Sequence, residues 1–167
     1  MTDLIQHLAS RRRMLGLLFA ATALAACEQS PSSGAAKPRP RPTTGLYPNE
    51  TPELRTKINY YADQYEVPTA LVHRVVKRES RYRPGARNGP YYGLMQLLPG
   101  TARTMGYRGS AEGLLDADTN LKYGVKYLRG AWMVSDGSYD KAVMWYSRGY
   151  YYEAKRRGLL RETGLRA

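Results

Sequence analysis

Cysteine and histidine, the residues that most often cross-link chains or bind transition metals, are scarce in this chain. It has one cysteine and two histidines in 167 residues. A single thiol cannot form an internal disulfide. His7 lies close to the N-terminus, and His73 has no cluster of possible ligands around it in the sequence. We therefore predict no metal site and no cofactor, and we expect His73 at the surface.

Phenylalanine, long apolar runs and alternating strand patterns are lacking too. One Phe stands against 15 Tyr and 2 Trp. Tyrosine combines an apolar ring with a hydrogen-bonding tip, which suits the binding of sugars. The most apolar stretch, residues 14–24, is too short to span a bilayer. Without convincing strands, the sequence predicts an all-α fold with at most a minor hairpin in one loop.

Acidic residues are few relative to basic ones. The chain has 14 Asp and Glu against 26 Lys and Arg, which gives a formal net charge of +12. A charge of this size predicts an anionic partner without saying which one. Nucleic acid and lipid headgroups both meet that description.

The N-terminus indicates export. Arg11, Arg12 and Arg13 precede the apolar residues 14–24, and small residues then lead to Cys27. This pattern resembles a bacterial lipobox, in which Cys27 is lipidated and becomes the first residue of the mature protein. The arginines also resemble a twin-arginine export signal. We predict a membrane-anchored lipoprotein of the bacterial envelope that faces the periplasm, where no nucleic acid is available as a partner.

The rest of the chain divides by composition into a linker and a helical domain. We predict a signal peptide over 1–26, lipidated Cys27 with a mobile Pro- and Ser-rich linker over 27–50, and a domain over 51–167. Start and stop signals predict helices over 51–65, 68–80, 93–98, 99–105, 116–133, 138–149 and 150–157. Trp132 and Trp145, at helical spacing, are expected in the core.

Glu79 lies where an apolar residue is expected. It follows Val75 by four residues and Val76 by three, so it shares the apolar face of the second predicted helix. One interpretation is a solvated helix end, with Glu79 paired to one of the nearby cations, Lys77, Arg78, Arg81 or Arg83. The other is a desolvated carboxyl whose pKa is raised toward that of a general acid.

The residues that follow Glu79 favour the second interpretation through a resemblance. The run ESRYRPGARNGPYYGLMQLLPGTA (79–102) resembles the signature of the lytic transglycosylases, relatives of goose-type lysozyme that cleave peptidoglycan glycan strands. Asn120, Leu121 and Gly124 resemble the second block of this family, and AVMWYSRG (142–149) resembles the third. In the third block, serine and arginine at 147 and 148 stand where the family usually has asparagine and a small residue.

The resemblance implies a lysozyme-like fold and one catalytic carboxyl. Glu79 would cleave the β-1,4 bond between N-acetylmuramic acid and N-acetylglucosamine, leaving a 1,6-anhydro sugar. The substrate-binding residues implied by the family are Ser80, Gly93, Met95, Gln96 and Tyr146. For Ser80, a bond to a helix carbonyl is an equal alternative, and for Met95 a core position is a serious one. We expect a monomer whose partners are the glycan strands and, through Cys27, a membrane.

Two other functions are compatible with the same residues. A lysozyme-like hydrolase would cut the same bond with water. A catalytically weak glycan-binding module of an envelope assembly is favoured by the departures at positions 147 and 148. The anion that the basic charge predicts is then the carboxylates of peptidoglycan stem peptides or lipid headgroups.

Overall fold

The computed structural model describes residues 45–166. The predicted signal peptide, Cys27 and most of the predicted linker lie outside them. The helices are α1 (Pro52–Gln64), α2 (Thr69–Glu79), α3 (Pro99–Thr104), α4 (Ala117–Met133), α5 (Tyr139–Arg148) and α6 (Tyr151–Arg156). A short 3₁₀ helix spans Glu112–Leu115, and two antiparallel two-residue strands, β1 (Arg87–Asn88) and β2 (Tyr91–Tyr92), form a hairpin. The all-α prediction, with a minor hairpin in the loop after α2, is confirmed.

Local capping explains why three of the helices begin where the sequence predicts. Thr51, Asp116 and Ser138 each accept a hydrogen bond from the backbone N–H three residues later, at 3.2, 2.8 and 3.3 Å. Such bonds satisfy one of the orphan donors at a helix N-terminus. Asp116 therefore caps α4 at the start that the sequence predicts.

Helix α4 is the central element of the domain, in contact with α1, α3 and α5. Its apolar face packs in the main buried core together with the apolar face of α2, through Leu71, Val72, Val75, Val76, Leu121, Val125 and Leu128. Trp132 and Trp145 are partly buried and pack against this core, as expected from their spacing. None of the helices within residues 45–166 has the length and apolar character that a membrane span requires.

The predicted helix over residues 93–98 is wrong. These residues form a tight turn in which Tyr92 and Leu97 exchange two backbone hydrogen bonds, at 3.0 and 2.9 Å. Gly93 and Gln96 have φ angles of +75° and +48°. A right-handed helix cannot contain left-handed residues, so the chain turns back on itself before α3.

The expected surface position of His73 is also wrong. Its side chain is buried because residues 45–50, which we assigned to a mobile linker, pack over this part of the domain. The ring centroids of Tyr47 and His73 lie 5.4 Å apart. Glu50, the last residue of that predicted linker, is buried as well. Periodicity did not reveal this contact because residues 45–50 belong to no helix.

Candidate active site

A cleft of about 550 Å³ lies between the C-terminal end of α2, the hairpin and turn before α3, and the C-terminal end of α5. Its lining residues are Arg78, Glu79, Asn88, Tyr91, Gln96, Leu97, Leu98, Thr101, Tyr127, Tyr146, Ser147, Arg148 and Gly149. Glu79 is the one acidic residue of this lining. A second cavity of about 540 Å³, around Tyr60 and Arg129, contains none of the predicted site residues.

Glu79 is the last residue of α2, and its side chain is 22 % exposed. Burial among apolar neighbours raises the pKa of its carboxyl, while the positive charge of Arg78 opposes this shift. The Nε atom of Arg78 lies 3.6 Å from Oε1 of Glu79. Of the four cations that the ion-pair interpretation offered, Arg78 alone pairs with Glu79 within residues 45–166, whereas Lys77, Arg81 and Arg83 do not. Burial still outweighs the charge of Arg78, so the carboxyl is not a fully solvated helix end. The raised pKa suits a group that has to give up a proton.

Tyr146 brings α5 against the turn that precedes α3. Its hydroxyl donates a hydrogen bond of 2.7 Å to the carbonyl oxygen of Met95. Burial and the nearby charge of Glu79 hold the pKa of Tyr146 well above its ordinary value, so the phenol stays neutral. Its proton is therefore engaged by the Met95 carbonyl, and Tyr146 lies beside Glu79 without donating to it.

The side-chain amide of Gln96 uses its nitrogen to bind the turn, while the residue lines the cleft. Its Nε2 donates to the carbonyl oxygens of Ala86 and Gly93, at 3.2 and 2.9 Å. Its Oε1 accepts no hydrogen bond from residues 45–166. The left-handed backbone of Gln96 is the kind of strain that surrounding contacts must hold in place, and such strain often occurs at functional sites. The arrangement leaves one acceptor available to a ligand.

Comparison with known proteins identifies the family. Residues 56–158 match the family model of the transglycosylase SLT domain. The chain belongs to this family. It is also 32 % identical, over 124 residues, to "Membrane-bound lytic murein transglycosylase F" of Shewanella woodyi. That alignment covers 70 % of this chain and 25 % of the relative, so the chain spans about a quarter of the relative's length. No solved structure matches the chain.

Three of the five substrate-binding residues predicted for this SLT domain do not line the cleft. Met95 is fully buried against the core, and Ser80 is 2 % exposed. The Ser80 hydroxyl donates to the carbonyl of Val76 at 3.3 Å, which is the helix-end alternative. Gly93 is also buried. The structure thus brings Glu79, Gln96 and Tyr146 together in the lining of the cleft. Ser80, Gly93 and Met95 are buried behind that lining.

Asn120 is the residue of this SLT domain whose role the sequence did not reveal. It is fully buried in α4. Its Oδ1 accepts from the backbone N–H of Met95 at 2.8 Å. Its Nδ2 donates to the carbonyl oxygens of Tyr92 and Leu114, at 2.8 and 2.7 Å. The sequence did contain one signal, an asparagine next to the apolar Leu121. Buried polar groups are almost always hydrogen-bonded, so an asparagine at a buried position indicates a hydrogen-bond network.

The cleft of the SLT domain also contains residues that the sequence analysis did not assign to substrate. Tyr91 is 41 % exposed and presents its ring at one side. Arg148, at the end of α5, is exposed and forms no ion pair within residues 45–166. In the same described part of the chain, no group of three or more His, Cys, Asp or Glu side chains is placed to hold a metal ion.

Proposed function

We propose that this SLT domain is a peptidoglycan lytic transglycosylase in which Glu79 is both the acid and the base. The observation that carries the proposal is that Glu79 is the single acidic residue lining the cleft, with a pKa raised by burial. Ordinary glycosidases need two carboxyl groups, about 5–5.5 Å apart for retention and wider for inversion. One carboxyl suffices where the substrate supplies its own nucleophile.

The proposed reaction begins with protonated Glu79. It donates its proton to the oxygen that links C1 of N-acetylmuramic acid to N-acetylglucosamine, and the C1–O bond breaks. The N-acetyl oxygen of the muramic residue stabilises the positive charge at C1. The Glu79 carboxylate then takes the proton of the C6 hydroxyl as O6 bonds to C1. The product is a 1,6-anhydro sugar, no water is consumed, and Glu79 is protonated again.

Two uncharged side chains suit a sugar ligand in this cleft. The Oε1 atom of Gln96 has no partner among the described residues and accepts a hydrogen bond from an acetamido N–H or a hydroxyl. The exposed ring of Tyr91 offers an apolar face to a pyranose ring. Both groups bind the ground state and the transition state, so they would contribute chiefly to substrate affinity.

The positive side chains of the cleft suit a glycan that carries stem peptides. Arg78 and Arg148 both line the cleft that contains Glu79, and both are exposed. The carboxylates of the stem peptides are the anions that such a glycan carries, because the lactyl carboxyl is bound in an amide where a peptide is attached. Guanidinium groups pair with carboxylates in a bidentate geometry. We infer that these arginines bind the carboxylates of stem peptides.

We also propose that a lipid on Cys27 holds this domain at a membrane of the envelope, facing the periplasm. The lipobox-like sequence before Cys27 supports the proposal. Several acyl chains, at about 0.8 kcal/mol per buried CH₂, make a stable anchor. Fractionation of cells tests it: the wild type should sediment with membranes and Cys27→Ala should not. A wild type recovered entirely in the soluble periplasmic fraction would contradict the anchor.

Mass spectrometry of peptidoglycan sacculi digested by the full chain tests the proposed reaction. Anhydro-muramic products are expected. Products heavier by one water would instead establish the lysozyme-like hydrolase. Sacculi that bind the protein but remain uncut would establish the glycan-binding module, the candidate favoured by the unusual Ser147 and Arg148.

A further inference from the structure

The segment before α1 lies across the turn that follows Glu79. We call residues 45–50 the N-terminal strap. The side chain of Asn49 donates a hydrogen bond of 3.1 Å to the carbonyl oxygen of Arg81. The ring of Tyr47 stacks on the ring of Tyr82, with centroids 5.1 Å apart and an angle of 11° between the planes. The strap therefore contacts two successive residues of this turn.

A buried charge fixes the strap to the domain. The carboxylate of Glu50 is fully buried and forms an ion pair with Arg55 of α1. It also accepts a hydrogen bond of 2.9 Å from the backbone N–H of Tyr47. Burial opposes ionisation of Glu50, but the bonds from Arg55 and Tyr47 outweigh it and lower its pKa. Breaking a buried ion pair costs several kcal/mol, so these contacts hold the strap against the domain.

The turn under the strap needs such support. Arg81 and Tyr82 are consecutive non-glycine residues with φ angles of +52° and +61°. This region is disfavoured for residues with a side chain, and it persists only where surrounding contacts impose it. The Tyr82 hydroxyl is held on its other side by Nδ1 of His73, at 3.0 Å. The strap and α2 together therefore hold the turn in this conformation.

We propose that Tyr47, Asn49 and Glu50 are positioning residues, which hold the turn after Glu79 and thereby keep its carboxyl aimed into the cleft. The inference rests on the proposed function of Glu79. Glu79 is the last residue of α2 and Ser80 is its C-cap, and the next two residues are those that the strap contacts. Release of the strap lets the turn relax toward ordinary backbone angles, which moves the last residue of α2. Misplacement of a catalytic group by about 1 Å costs on the order of 100-fold in rate.

Two substitutions in the full chain test this role, each with a matched control. Asn49→Gly keeps the left-handed backbone that its φ of +67° requires and removes the hydrogen bond to Arg81. Tyr47→Ala removes the stacked ring. The controls are Asn59→Ala and Tyr60→Ala, both exposed residues of α1. Rates of anhydro-product formation are measured on soluble glycan strands, below the melting temperature of every variant.

We expect kcat to fall about 10–100-fold in both strap variants, with KM little changed, and to stay at the wild-type value in both controls. Tyr47→Phe, which keeps the ring, should restore kcat. If Tyr47→Ala fails to fold, Asn49→Gly decides, because it loses one exposed hydrogen bond. Folded strap variants with wild-type kcat would overturn the positioning role alone. A wild type that forms no anhydro product would overturn the proposed function and this role together.

Discussion

Asn120 occupies the space that a side chain at position 93 would need. A β-carbon built on Gly93 would lie 2.3 Å from Nδ2 of Asn120 and 2.4 Å from the carbonyl oxygen of Leu114. Gly93 is therefore a glycine because of this close approach and its φ of +75°. The family resemblance implied a substrate-binding role for Gly93, whereas in the structure this residue is buried against Asn120 and does not line the cleft.

Removal of the Asn120 amide should destabilise the domain strongly. Asn120→Ala leaves the N–H of Met95 and two carbonyls without their partner. Each unsatisfied buried group costs about 1–3 kcal/mol, so we expect a loss of roughly 3–5 kcal/mol in the free energy of unfolding. Urea unfolding measures this loss. Asn59→Ala, on the exposed face of α1, is the control and should change stability by less than about 0.5 kcal/mol. Equal stability of the two variants would contradict the network.

Glu79→Gln should abolish most of the activity while leaving the fold intact. The amide keeps the volume of the carboxyl but cannot deliver a proton. General acid–base catalysis contributes about 10²–10⁴-fold, and one residue here is proposed to serve both steps, so the rate should fall at least that far. Rates of anhydro-sugar formation measure it, with Glu112→Gln at an exposed site as the control. Wild-type rates in the Glu79 variant would remove Glu79 from the mechanism.

The same Glu79 variant should change the pH dependence of stability. The folded pKa of Glu79 lies above 4.5 because of burial, so the folded state holds its proton more tightly than the unfolded state. The ionised carboxyl then costs folding free energy at neutral pH, and this cost vanishes as pH falls below 4.5. Glu79→Gln should therefore melt higher than the wild type at pH 7, by a margin that disappears in acid. A lower melting temperature at pH 7 would indicate a stabilising ion pair instead.

His73 should make the domain sensitive to mild acid. Burial lowers its pKa below 6.5, and the charge of Arg55 adds to this while that of Glu50 opposes it. The unfolded state then binds a proton first, so stability is complete above pH 6.5 and falls as pH drops toward the folded pKa. The melting temperature of His73→Gln should depend less on pH in this window. Besides Glu50 and Arg55, the Tyr82 hydroxyl also contacts the imidazole, at Nδ1, and it carries no charge in this pH range. Parallel melting curves for the two proteins across pH would refute the assignment.

Arg148→Ala should weaken the binding of peptide-bearing strands selectively. We expect KM for such strands to rise about 5-fold, the effect of one partly solvated charge pair, and kcat to change little. The comparison substrate is the same peptide-bearing glycan after its peptide carboxylates have been converted to amides, for which KM should be unaffected. Arg161→Ala, another exposed arginine, is the control. An equal loss on both substrates would show that Arg148 contacts sugar and not carboxylate.

The parts of the fold that the sequence predicted correctly are those that depend on neighbouring residues. The caps Thr51 and Ser138 act within one turn of helix, so their residue types were sufficient to start α1 and α5. The facing of Glu79 followed from helical period alone, since Val75 and Val76 had to be buried. The signature run then marked the chain as a transglycosylase SLT domain, and the family match confirmed it.

Contacts between residues far apart in the chain determine which side chains are buried and which line the cleft, and the sequence alone did not predict these. Gly93 and Met95 stand in the signature, yet both are held in the core by Asn120, which is 25 residues beyond Met95. His73 is buried because the strap covers it, and no local pattern reports a contact made across more than 20 residues. Propensity and period act over a few residues, whereas the burial of a side chain is a property of the packed whole.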